Sequence, residues 1–225
     1  QYVADKALAD MICPDGGAIG SGKGTGGAVV VMDVTDGSIV ALSSYPTFTP
    51  TPFVGGITQD ELDLLQSSAA FSPLLNRAIQ GTYPAASTYK TFTGLAALEN
   101  GMATATETWD CTGSWDGFGS GDVQKCWKKQ GHGTLDFRGG IVNSCDTVYY
   151  DIGYKFWDAA ANKGKSATLL QDFLKRYRLD QTTGIDLNGE TSGRIPTPEW
   201  KQEYFRDTPE DAQWKGGDYT NMCIG

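Results

Sequence analysis

Apolar residues Tyr2, Val3, Ala7, Leu8, Met11 and Ile12 recur near one helical face, predicting a short amphipathic helix over residues 2–12. Residues 14–27 are rich in glycine and predict a loop. Apolar runs then follow over Ala28–Val34 and Ser38–Ser43, with Thr35-Asp36-Gly37 between them as a hairpin turn. Both runs are apolar on both faces, which predicts interior strands of a covered sheet. Pro46, Pro50 and Pro52 forbid regular structure after the hairpin. Thr58, with Glu61 three residues on, predicts a capping box opening a helix over Gln59–Ser67. Leu74–Ile79 leads to a turn at Tyr83–Lys90. From Thr91 to about Asn100 the chain is apolar nearly all round and closes on Gly101, as a buried central helix would. Helical stretches are expected around Ile141–Val142 and over Thr147–Gly153. Another is expected over Ser166–Tyr177, where Leu169, Leu170, Phe173 and Leu174 share a face. After Leu187 the chain is polar, carries Pro196 and Pro198, and reads mainly as loop. A strand pair followed by a long helical region, with no repeat, linker or alternating βαβ order, predicts an α+β fold.

Composition narrows the function classes. A chain of 225 residues fits one domain, or one large domain with a small appendage, and 40% hydrophobic content supports a core. A net charge of −9 excludes a basic nucleic-acid footprint and disfavours docking on anionic lipid. No apolar run approaches membrane-spanning length. The chain begins at Gln1 without a signal-like segment, so any anchor is expected outside it. Gly17–Gly24 nearly spells a phosphate-binding loop. Gly24 stands where a Ser or Thr would hold magnesium, and a strand follows where a helix is required, so that reading is rejected.

The five cysteines, Cys13, Cys111, Cys126, Cys145 and Cys223, do not fix a compartment. Cys111 and Cys126 bracket a Gly-rich stretch that a disulfide would clamp, implying an oxidising location. The other reading is a tetrahedral zinc site from Asp110, Cys126, His132 and Cys145, although the spacing fits no standard zinc module. The disulfide is the simpler expectation, with no cofactor required. His132 is the only histidine; its plainest role is a loop residue bonded to backbone, and a Ser-His-Asp triad is the alternative.

Ser87-Thr88-Tyr89-Lys90 is the only Ser-x-x-Lys in the chain. Pro84 disfavours helix at the residue before it, so a helix is expected to start close to Ser87, bringing the Lys90 amine beside the hydroxyl. A serine hydroxyl needs a base to become a nucleophile, and a desolvated lysine can serve. An exposed helical turn is the plain alternative. Ser144 and Asp146 read either as a second polar pair at such a site or as a cap on the helix after them.

Several segments resemble penicillin-binding protein transpeptidase domains. Gly27–Asp33 through Leu42–Pro46 is similar to their opening hairpin, and Leu75-Asn76-Arg77-Ala78 with Tyr83–Lys90 to their approach to the active serine. Gly131-His132-Gly133 and Ser144–Tyr150 resemble their second motif, with Asp146 in place of the usual Asn. Thr183–Leu187 and Pro196–Lys201 resemble the class B, penicillin-binding protein 2 branch. The similarity runs from about residue 27 to the end, implying an appendage over residues 1–26 and a partial transpeptidase domain over 27–225.

The resemblance implies a penicillin-binding, serine β-lactamase-like fold, truncated, with an N-terminal hairpin, a mainly helical region and its C-terminal sheet strands absent. It implies that Ser87 attacks the carbonyl between two terminal D-alanines of a peptidoglycan stem peptide and that Lys90 accepts its proton. Ser144 would relay a proton to the departing amine, and Asp146 would accept a hydrogen bond from Lys90 or a substrate amide. Stem peptides, β-lactam antibiotics and other cell-wall synthesis proteins are the implied partners. The outer face of the bacterial cytoplasmic membrane is the implied location, with the anchor outside this chain. The family's third motif, Lys-Thr/Ser-Gly, does not occur in the sequence. Its strand supplies an oxyanion-hole amide, and losing one such donor costs roughly 10²–10³ in rate, so little activity is expected of this chain alone. A serine β-lactamase or D,D-carboxypeptidase, a β-lactam-binding sensor and a structural module stay open as alternatives.

Overall fold

The structure is a computed structural model that describes residues 1–225 apart from the Asp15 side chain. Two compact units divide it: Gln1–Tyr83 with Gly184–Thr191, and Pro84–Thr183 with Ser192–Gly225.

The first unit contains α1 (Tyr2–Ile12), β1 (Gly27–Met32), β2 (Ile39–Tyr45), α2 (Gln59–Gln66) and α3 (Arg77–Gln80). Strands β1 and β2 form the predicted antiparallel hairpin, in register from Gly27↔Tyr45 to Val31↔Ala41 and slipping at Met32↔Ile39. The Gln1 carboxamide occupies the free backbone groups of β2: it donates to Leu42 O at 2.9 Å and accepts from Leu42 N–H at 3.0 Å. The Ser43 hydroxyl donates to Asp5 at 2.6 Å, fixing α1 on the hairpin. Helices α1 and α3 are the elements that pack on the strands. Val30, Val31, Met32 and Val40 therefore remain exposed, against the expectation of an interior sheet. Tyr2, Val3 and Met11 of α1 are exposed as well, and Ile12 is the buried residue of that helix.

The predicted capping box on α2 is present. Thr58 N–H donates to Glu61 Oε2 at 3.0 Å, and Glu61 N–H donates to Thr58 Oγ1 at 3.3 Å. No α2 residue is buried, so the cap carries much of this helix's stability. Thr58→Ala should cost about 1 kcal/mol locally and accelerate amide exchange across residues 59–66; unchanged exchange there would contradict it.

The second unit begins with a 3₁₀ turn at Ala86–Tyr89 that runs into α4 (Lys90–Glu99). Two small antiparallel ribbons follow: β3 (Thr108–Cys111) with β6 (Gly133–Asp136), and, nested between them, β4 (Ser114–Trp115) with β5 (Gln124–Lys125). Then come α5 (Phe137–Val142), α6 (Asp146–Asn162), α7 (Leu169–Lys175), α8 (Pro198–Tyr204), α9 (Pro209–Ala212) and α10 (Gly216–Ile224). Helix α6 lies at the centre, with Val148, Tyr149, Ile152 and Phe156 in the core cluster beside Leu170, Leu174, Met222 and Cys223. Helix α10 packs along it, and Thr93 Oγ1 donates to Cys223 O at 2.9 Å, tying α4 to α10.

Three expectations change here. The tract after Leu187 is not mainly loop: α8 starts at an N-cap, Thr197, whose hydroxyl accepts Trp200 N–H at 3.1 Å, with Pro198 at the first helical position. Helix α10 forms because Tyr219, Met222 and Cys223 bury one face. The ribbons of two to four residues are too short to show a period-two pattern. Helix α4 is buried on one face only, since Leu95 and Leu98 are exposed.

Candidate active site

Two reversals of the chain build the site, each through a left-handed residue that carries a side chain. Ala86 has φ +49° and opens the 3₁₀ turn that lifts Ser87 to the surface at the head of α4. Ser144 also has φ +49°. It follows α5 as a left-handed helix stop: Ser144 N–H donates to Ile141 O at 3.0 Å and Cys145 N–H to Gly140 O at 2.9 Å, the pairing usually closed by glycine. Holding a residue with a Cβ in that region costs on the order of 1–3 kcal/mol. The chain then enters α6 directly, with Cys145 as N-cap and Asp146 in the first turn, where the helix dipole favours a carboxylate.

Lys90 reaches from α4 to this second reversal and is only 2% exposed. Its ammonium donates to Asp146 Oδ1 at 2.6 Å, Ser144 O at 2.9 Å and Ser144 Oγ at 3.3 Å, and it lies 5.4 Å from the Tyr149 ring centroid. Three acceptors satisfy its three N–H groups. Asp146 Oδ2 accepts Trp127 N–H at 2.8 Å, so each carboxylate oxygen has a partner. The Trp127 indole N–H donates to Asn143 O and Ser144 O, both at 3.1 Å.

Sequence reasoning picked Ser87, Lys90, Ser144 and Asp146, and the fold brings the last three into one hydrogen-bonded group. Ser87 lies one 3₁₀ turn before Lys90, and residues three apart eclipse in such a turn. No hydrogen bond joins the Ser87 hydroxyl to Lys90 among the described residues; the ammonium is drawn to Asp146 instead. Reading Ser144 as a cap on α6 fails, because Cys145 is the cap residue and the Ser144 side chain faces Lys90. Trp127 escaped sequence reasoning, since nothing in its neighbourhood signals a contact with residues 143–146.

A second cluster adjoins the first. One ligand atom from each of Cys111, Cys126, His132 and Cys145 lies within 4.8 Å of the others. His132 Nδ1 is 3.5 Å from Cys111 Sγ and 3.6 Å from Cys126 Sγ. Asp110 is not a member: alternate residues of β3 face opposite ways, leaving Asp110 exposed and Cys111 buried. All five thiols are free, so the expected Cys111–Cys126 disulfide is not formed. Burial raises the Cys111 thiol, but hydrogen bonds from Thr147, His132 and Gly113 outweigh it and bring the value to about 6. Burial pushes Cys145 up to about 11. His132 Nδ1 points into the thiols and makes no bond to Ser87 or Ser144, so a triad built on it has no support.

The family model for the penicillin binding protein transpeptidase domain matches residues 27–213. Peptidoglycan D,D-transpeptidase MrdA of Escherichia coli K12 is 36% identical over 202 residues, covering 90% of this chain and 30% of that protein. The chain therefore spans about a third of the length of the curated relatives it matches. Among solved structures, Pseudomonas aeruginosa PBP2 in complex with WCK 5153 superposes with a TM-score of 0.78 at 28% identity, over 100% of this chain and 44% of that one. The complex of Helicobacter pylori PBP2 with MreC gives 0.75 at 32% identity, over 89% of this chain and 34% of that one. The hairpin, the serine turn at the head of α4 and the Ser144 reversal all lie inside the matched span, and the chain belongs to the penicillin-binding protein transpeptidase family.

Proposed function

We propose that this chain carries the nucleophile and proton-transfer groups of a D,D-transpeptidase that cross-links peptidoglycan stem peptides. One observation carries the reading: a buried lysine, held by Ser144 and Asp146, sits one turn after an exposed serine. With Lys90 in its neutral form, one of its three donated hydrogen bonds given up, Ser87 Oγ attacks the carbonyl between the terminal D-alanines and gives its proton to the Lys90 amine, which becomes the ammonium held by Ser144 and Asp146. The C–N bond breaks, the departing D-alanine amine takes a proton by way of Ser144, and an acyl-enzyme remains on Ser87. An amine of a neighbouring stem then attacks the ester carbonyl; the C–N bond forms, the C–O bond to Ser87 breaks, and the proton lost by the attacking amine passes by way of Lys90 to Ser87 Oγ. Asp146 orients Lys90 throughout, and a β-lactam acylates the same oxygen.

The substrate and partners lie in the bacterial cell envelope, on the outer face of the cytoplasmic membrane. The names of the relatives support this, and one of them was solved bound to another protein, MreC. No helix among the described residues is long and apolar enough to cross a membrane.

The proton transfers need no cofactor. We further propose that Cys111, Cys126, His132 and Cys145 hold a structural zinc ion. Zinc–sulfur and zinc–nitrogen bonds of about 2.3 and 2.0–2.1 Å at a tetrahedral angle place sulfur and nitrogen about 3.5 Å apart, close to both His132–thiol distances. The convergence of a third thiol, Cys145, favours a metal over a Cys111–Cys126 bridge.

The test of the enzymatic reading uses a protein of the relatives' full length that carries this sequence. A fluorescent penicillin should label it stoichiometrically at Ser87, and Ser87→Ala should abolish the label. Labelling that survives Ser87→Ala would overturn the assignment. Labelled protein that forms no cross-links from stem peptides would point to a sensor, and rapid turnover of the antibiotic to a β-lactamase.

A further inference from the structure

The lysines beside the Ser144 reversal take no part in the mechanism above. Residues 123–133 carry Lys125, Lys128 and Lys129 and no acid, in a chain of net charge −9. All three are exposed. Lys90, Lys155 and Lys201 each contact a carboxylate, whereas no ion pair or hydrogen bond among the described residues holds these three ammonium groups. Their backbone is nevertheless fixed. The Tyr150 hydroxyl, on α6, donates to Lys125 O at 3.2 Å. Cys126 N–H donates to Gly113 O at 3.0 Å, and Gly131 N–H to Lys128 O at 2.9 Å, closing a turn over residues 128–131. The turn lies so close to β3 and the residues after it that a Cβ at Gly113 would stand 2.1 Å from Lys129 O, and one at Gly131 2.1 Å from Cys111 O. Cys126 is buried, so its neighbours Lys125 and Trp127 face the other way, outward. Trp127 joins this cationic turn to the site: its backbone N–H donates to Asp146 and its indole N–H to Ser144 O.

The second half-reaction indicates what passes over this surface. Acylation and aminolysis are the same addition and elimination at one carbonyl, run in opposite directions with different amines. The incoming amine therefore attacks from the place that the D-alanine amine has left, which is the Ser144 side. The stem attached to that amine lies over the surface bordering Ser144, and on the Trp127 side that surface is the lysine turn. A stem peptide is an acidic peptide, with free carboxylates besides the amine that reacts. We propose that Lys125, Lys128 and Lys129 form the docking subsite for the acceptor stem peptide and recognise its carboxylates. The inference rests on the transpeptidase reading given above and names where its second substrate binds. Because the turn is held by its backbone, its charges are presented without ordering a loop on binding. The lysines touch neither Ser87 nor Lys90, so they set the KM for the acceptor and leave the chemical steps alone.

A protein of the relatives' full length that carries this sequence tests this. The donor is held fixed, and the acceptor is a synthetic stem peptide that keeps its reacting amine and has its carboxylates either free or amidated. The wild-type protein should use the free acid with a KM about tenfold below that of the amide, the scale of a few exposed ion pairs, and added salt should narrow the gap. Lys125→Gln/Lys128→Gln/Lys129→Gln should raise the KM for the free acid about tenfold and remove the preference for it, while kcat and the penicillin acylation rate constant at Ser87 stay within about twofold. Equal KM values for the two acceptors in the wild-type protein, or an unchanged KM in the triple variant, would overturn the subsite while the transpeptidase reading stands. A fall in penicillin acylation that matches the fall in cross-linking would show a general disturbance of the site and also overturn the subsite. A protein that takes the penicillin label yet cross-links neither acceptor would overturn both.

Discussion

Replacing Lys90 by methionine should destabilise the chain by about 3–5 kcal/mol, the cost of breaking a buried ion pair from one side. The methionine fills much of the lysine's space, so packing changes little. The loss comes from Asp146, which keeps Trp127 N–H but has no cation left at Oδ1. Ser144 O and Oγ lose their donor in the same step. Urea denaturation measures the difference. The double variant Lys90→Met/Asp146→Asn should recover most of it, because the uncompensated carboxylate is gone. Lys90→Arg should not rescue: its planar fork is larger and cannot place one compact ammonium among three acceptors. A loss below about 1 kcal/mol for Lys90→Met would mean that Asp146 is solvated well enough to stand alone, and the electrostatic account of the site would fail. The same substitution should abolish penicillin labelling of Ser87 in the full-length protein, since the proton acceptor is gone.

Gly153→Val should cost about 3 kcal/mol, the upper end for inserting atoms into a packed core. A Cβ at Gly153 would stand 2.7 Å from Thr220 Cα, 2.8 Å from Tyr219 O and 2.9 Å from Thr220 N. All three are backbone atoms, so no side-chain rotation relieves the clash and α10 has to move off α6. The Thr93–Cys223 hydrogen bond across α4 and α10 would lengthen with it. For a chain of this size the midpoint of thermal unfolding should fall by about 6–12 °C. Amides of residues 216–224 should exchange faster than those of α7. An unchanged midpoint would show that α10 adjusts freely against α6, contrary to its tight packing.

The largest surprises came from short elements and from side chains whose partners lie far along the chain. The ribbon of β3 and β6 decides which residues form the thiol cluster. Sequence spacing offered Asp110 as a ligand, whereas strand alternation turns it outward and Cys111 inward. Trp127 carried no signal because its acceptors, Asn143, Ser144 and Asp146, belong to another segment. The left-handed stop at Ser144 was hidden because such stops usually declare themselves by glycine. The tract after Leu187 looked like loop because α8 and α9 are short and proline-led, and proline at a first helical position is easily read as a breaker.

Local chemistry and order along the chain were legible from the sequence itself: the hairpin around Asp36-Gly37, the Thr58 capping box, the helix after Lys90 and the identity of the four polar residues. These follow from interactions between residues a few positions apart, which composition and spacing record. The tertiary structure alone decided that Lys90 faces Asp146 and Ser144 instead of bonding to Ser87, and that three thiols and one imidazole converge beside them. Those outcomes depend on how α4, α5 and α6 pack and on which face of β3 is buried. Pairings between residues far apart in the chain have no signature in the spacing of a single sequence.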